Sequence, residues 1–82
     1  MAEESASTSS ADEFAQHAAD RLALALEEAG FDVGVCFPGL RSGWDESGAP
    51  GVRLGAVTSA VASDLTMLLA GAVSAGVMLP AR

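Results

Sequence analysis

Residues Gly51 to Ala75 read G-V-R-L-G-A-V-T-S-A-V-A-S-D-L-T-M-L-L-A-G-A-V-S-A. Val52, Leu54 and Ala56 alternate with Arg53 and Gly55, the period-two pattern of a half-buried strand. Thr58 and Ser59 are helix-capping types, and beyond them the apolar spacing becomes helical until Gly76. The stretch therefore predicts a strand that leads into a helix. Val61, Leu65, Leu68, Leu69, Ala72 and Val73 share one stripe, suited to lying on a sheet. The opposite face holds Ala60, Ser63, Asp64, Met67, Ala70, Gly71 and Ser74, where an ordinary surface helix carries Lys and Glu. Small residues let a second backbone approach closely, and Met67 adapts to irregular contacts. Ala60, Met67, Ala70, Gly71 and Ser74 are accordingly expected interface residues.

Upstream, Phe31, Val33, Val35 and Phe37 alternate with Asp32, Gly34 and Cys36, which predicts a strand ended by Pro38-Gly39. Paired with 52–56, it makes an antiparallel hairpin whose long connection, Leu40 to Pro50, contains Trp44. Ser10-Ala11-Asp12-Glu13 fits a capping box, so a first helix is expected from Ser10 to about Ala29, stopping at Gly30. Phe14, Ala15, Ala18, Leu22, Ala25, Leu26 and Ala29 form its apolar stripe, with Leu24 outside it. Residues 1–9 lack periodicity and are expected to be a disordered tail before a single domain over 10–80. The expected fold class is α+β: helix-strand-strand-helix, an antiparallel hairpin with both helices on one face. Two strands alone are marginal in water, and a hairpin edge invites pairing, so a homodimer is expected.

The chain has 82 residues and a net charge of -7, with eleven acids against four arginines and no lysine. Phosphate backbones call for clustered cations, so direct nucleic-acid binding is disfavoured, whereas a basic protein partner suits the acidic surface. The single cysteine permits no intrachain disulfide or thiolate metal cluster and fits a reducing cytoplasm. Met1-Ala2-Glu3-Glu4 lacks the apolar core of a secretory signal. The wealth of Ala, Gly and Val without Lys, Asn, Ile or Tyr matches a high-GC bacterial genome.

Catalytic chemistry finds little support. His17 lies on the polar side of the first helix, where solvation is its ordinary role. Cys36 has no cationic neighbour to lower its pKa. Glu27-Glu28 and Asp45-Glu46 are adjacent pairs without metal-ligand spacing. Gly30 to Gly34 stands between helix and strand, the reverse of a dinucleotide-binding order. No catalytic, cofactor or metal residue is therefore assigned. Trp44 differs: a lone Trp in a polar loop either folds back over the core edge or serves as an interface anchor, with Arg41, Asp45 and Glu46 then as its polar rim.

The reading is a non-enzymatic protein-protein interaction module, a small regulator or adaptor. Its self-association would use the small face of the second helix, the hairpin edge, or both. Two alternatives are a tail-anchored membrane protein using 60–79 and an acidic mimic that binds a basic partner. Leu65 to Leu79 is free of charge but about 15 residues long, short of the ~20 that span hydrocarbon. Extending it to Ala60 buries Asp64, so a membrane location is disfavoured.

Overall fold

The computed structural model describes residues 2–80, with side chains from residue 10 onward. Five elements follow in order: α1 (Ala2–Glu28), α2 (Val33–Cys36), β1 (Arg41–Trp44), β2 (Pro50–Arg53) and α3 (Ser59–Ser74). The architecture is α+β, a helix, a two-stranded antiparallel hairpin and a helix, as the sequence predicts, with one extra helical turn between α1 and β1.

α1 is continuous from Ala2, so Ser10 lies inside the helix and the expected capping box is not its start. Its other end is as expected. Gly30 takes φ +114, a conformation that costs an L side chain energy and glycine little. The Gly30 amide donates to the Glu27 carbonyl and the Phe31 amide to the Leu26 carbonyl, each at 3.0 Å. These bonds form a Schellman cap, whose usual companion is an apolar contact between the two flanking residues. Leu26 and Phe31 supply it, both buried in the same cluster. The turn that ends α1 thus also begins the core.

The predicted strand over Phe31–Phe37 is instead a turn of helix. Cys36 donates its amide to the Asp32 carbonyl at 2.7 Å, and Phe37 to the Val33 carbonyl at 2.9 Å. Alternation of Phe31, Val33, Val35 and Phe37 suggested a strand, but 33, 36 and 37 also fit helical spacing, and short apolar runs satisfy both periods. The observed burial decides for the helix: Val33 and Cys36 are half-buried and Phe37 buried, while Val35 faces solvent. Phe31 and Phe37 then meet edge to face, with ring centroids 5.2 Å apart at 89°.

The hairpin forms later in the chain. Arg41, Ser42, Gly43 and Trp44 pair with Arg53, Val52, Gly51 and Pro50 respectively. Five of the eleven residues of the expected Leu40–Pro50 loop are therefore strand, and the second strand stops at Arg53, short of the expected Ala56. Residues Asp45 to Ala49 make the turn. The Asp45 carboxylate accepts from the Ser47 amide at 2.8 Å, the Ser47 hydroxyl at 2.6 Å and the Ala49 amide at 3.0 Å.

This makes Asp45 acid-sensitive. Hydrogen bonds from the Ser47 side chain and then the Ala49 amide hold its carboxyl below the ordinary 3.8, against the opposing effect of desolvation. A folded pKa below the unfolded one adds stability above the unfolded value, lost as pH falls from there through the folded value. Trp44 fluorescence, which reports on the adjoining strand end, is expected to change across that acid window. Asp45→Asn is expected to remove this step, and an unchanged acid profile in the variant would exclude Asp45 as its source.

α1 packs against both strands, with Ala15 and Ala19 buried and offering the hairpin a close seat. The buried face is rotated from the expected stripe, so that Phe14 is 77% exposed. At the other end of the hairpin the backbones of Gly39 and Gly55 touch. A Cβ built on Gly55 meets the Gly39 Cα at 2.7 Å. This contact fixes the point where the chain leaves β2 for α3. The core proper is Leu26, Phe31 and Phe37, ringed by Leu22, Val33, Cys36, Leu40, Val61 and Leu65.

Candidate interaction surface

α3 is well formed as a helix and lightly attached. Thr58 caps it, its hydroxyl oxygen accepting from the Val61 amide at 3.2 Å. The Thr66 hydroxyl donates to the Ala62 carbonyl at 2.9 Å, which removes a polar group from its flank. Gly76, at φ +87, closes the helix with the same kind of cap as Gly30, the Val77 amide donating to Ala72 at 2.9 Å. Within α3, Val61 and Leu65 pack on the core cluster, and no residue of the helix is fully buried.

The expected sheet-facing stripe is thus only partly used. Val61, Leu65 and Ala72 are half-buried, whereas Leu69 and Val73 are 59% and 55% exposed. α3 meets the body at the cluster of Leu26, Phe31 and Phe37, which Val61 and Leu65 touch, so the second half of the helix has little to lie against. Beyond α3, Val77, Met78 and Leu79 are also exposed, Leu79 to 80%. Leu54 and Val57 add to this surface at the start of the helix. Among the described residues, nine of the thirteen exposed large apolar side chains lie between Leu54 and Leu79.

A groove of about 370 Å³ runs beside this surface, lined by Ala29, Gly30 and Phe31 from the end of α1 and by Asp64, Met67 and Leu68 from α3. Met67 forms its rim and is 69% exposed. Among the expected interface residues, Ala60, Met67, Ala70, Gly71 and Ser74 share one exposed side of α3 by helical spacing.

The hairpin residues are elsewhere. Trp44 ends β1, 62% exposed, above a cleft of about 230 Å³ that Asp12, Ala15, Gln16, Ser42 and Gly43 also line. Arg41 and Trp44, three apart on one strand, point to opposite faces, so Arg41 is not part of a rim around Trp44. The Asp45 carboxylate is engaged within its own turn. Sequence reasoning did not single out Leu54, Val57, Leu69, Val73 or the groove beside Phe31. The available signal was area, since so many apolar residues exceed what four short elements can cover.

Charge divides along the same line. Residues 1–53 contain ten acids and three arginines, the whole of the net charge of -7, while 54–82 contain one of each, Asp64 and Arg82. His17 is exposed and Cys36 half-buried, and no group of three or more His, Cys, Asp or Glu among the described residues is placed to hold a metal ion. No helix in the described residues is long and apolar enough to cross a membrane. The 16 residues of α3 extend about 24 Å at the usual helical rise. No family model, curated protein or solved structure matches the chain.

Proposed function

We propose that the protein is a non-enzymatic interaction module that associates with itself through α3 and the apolar residues flanking it. The observation that carries this reading is the concentration of exposed apolar side chains between Leu54 and Leu79, a stretch whose one charged residue is Asp64. Exposed apolar patches of this kind mark contact surfaces in soluble proteins. The acidic remainder then serves as a soluble outer body, open to a basic protein partner as a regulator or adaptor would be.

Met67→Glu places a charge on the exposed rim without disturbing the core, so folding should be retained. Light scattering is expected to show a dimer for the parent chain and a mass shifted to monomer for the variant, with association weakened at least tenfold. Undiminished association of a folded Met67→Glu protein would remove Met67 from the contact.

A further inference from the structure

Resting on the acidic body's openness to a basic protein partner, we infer that the cleft beside Trp44 is the point of contact. It receives one arginine side chain of a basic peptide segment, whose guanidinium stacks on the Trp44 indole and pairs with the Asp12 carboxylate.

The pattern of α1 holds the cleft open. Asp12, Ala15, Gln16 and Ala19 recur at the spacing of one helix face, and Ala15 and Ala19 are the buried pair that seats the hairpin. Asp12 and Gln16 therefore lie on the side facing the hairpin, in positions where apolar residues would let Trp44 settle onto the helix. Trp44 instead stays 62% exposed, above a cleft of about 230 Å³ lined by Asp12, Ala15, Gln16, Ser42 and Gly43. Whole small-molecule ligands occupy roughly 300–1,000 Å³, so this cleft has the size for a single side chain.

Charge decides what kind of side chain. Asp12 is the one ionisable residue lining the cleft, and the arginines of the described residues are placed elsewhere. Arg21 lies about two and a half helical turns beyond Asp12, on the opposite side of α1. Arg41 and Arg53 are cross-strand partners on the hairpin face opposite Ser42 and Trp44. The Arg53 side chain lies across that outer face, where a Cβ on Gly43 would come within 2.9 Å of its Nε. A neutral ligand would cover Asp12 at a desolvation cost and return no charge. A guanidinium matches both walls, because its plane stacks on an indole while two of its N–H groups donate to one carboxylate. The Gln16 amide oxygen and the Ser42 hydroxyl are further acceptors at the cleft for its remaining N–H groups. The wider field adds attraction, since residues 1–53 hold ten acids against three arginines.

Fluorescence anisotropy of a labelled short peptide of alternating Arg and Gly, titrated with the full chain, tests this. Asp12→Asn and Trp44→Leu should each weaken binding about fivefold. Glu28→Gln removes the same charge about 24 Å away along α1 and should change binding less than about twofold. The matching peptide of Lys and Gly should bind the parent chain more weakly, because an ammonium neither stacks nor pairs in two-pronged fashion. Asp12 and Trp44 are both exposed, and circular dichroism checks that the variants are folded. Parent-like binding by a folded Asp12→Asn or Trp44→Leu protein would overturn the cleft and leave only diffuse attraction to the acidic body. Equal binding of the two peptides would overturn the assignment of a guanidinium. Absence of peptide binding by the parent chain would refute the basic partner itself, and the cleft with it.

Discussion

Phe37→Ala is expected to abolish cooperative folding of this domain at room temperature. Truncating a buried Phe costs about 3–5 kcal/mol, from the lost transfer energy and the cavity left behind. A chain of 82 residues has a total stability of about 4–12 kcal/mol on the usual per-residue scale. This one sits low on that scale, because among the described residues the buried apolar set is Ala15, Ala19, Leu26, Phe31 and Phe37. Phe37 also holds the edge of Phe31 at a centroid distance of 5.2 Å, so its loss frees the residue that caps α1. Val61 and Leu65 pack on the same cluster, and α3 would lose its attachment together with the core. Far-UV circular dichroism against temperature tests this. A broad, non-cooperative melt is expected for the variant, and a cooperative melt within a few degrees of the parent would contradict the assignment of the core.

Gly55→Ala is expected to be nearly as damaging, for a backbone reason. Gly55 has φ +77, a region that costs an L residue about 1–2 kcal/mol. Its Cβ would approach the Gly39 Cα to 2.7 Å and the Gly39 carbonyl carbon to 3.0 Å. The obstacle is main chain and cannot rotate aside, so overpacking adds about 1–3 kcal/mol. Gly39→Ala meets the same contact from the other side, its Cβ 2.9 Å from the Gly55 Cα. Gly51→Ala is the natural control, since nothing lies within 4 Å of a Cβ there. Thermal melts should place Gly55→Ala well below the parent and Gly51→Ala close to it. Equal melting of the two variants would mean that Gly39 and Gly55 are not in contact.

These two cases also show what the sequence made legible. Both ends of α3, the end of α1 at Gly30 and the helix-hairpin-helix order were readable because caps and helical periodicity are local signals. Placement of the first strand was not. Phe31 and Phe37 are apolar for the core, and their spacing suits a strand as well as a helical turn flanked by two anchors. The actual strand, Arg41-Ser42-Gly43-Trp44, has little strand propensity, and it pairs because the Asp45 turn and the Gly39–Gly55 contact close it at both ends. Such closure depends on residues that are distant in sequence, which periodicity does not register. The surface was half legible. The small side of α3 stood out by composition, whereas exposure of Leu69 and Val73 follows from how little of the helix the Leu26, Phe31 and Phe37 cluster reaches.

α3 therefore has a different role from that of a core helix. Val61 and Leu65 join it to the body, while Met67, Leu68, Leu69 and Val73 are exposed, in a third of the chain that carries no net charge. Sedimentation equilibrium of the unmodified chain over a wide concentration range tests that account most directly. A mass rising with concentration to twice the 8.2 kDa of one chain is expected, and a mass of one chain at every concentration would contradict self-association through α3.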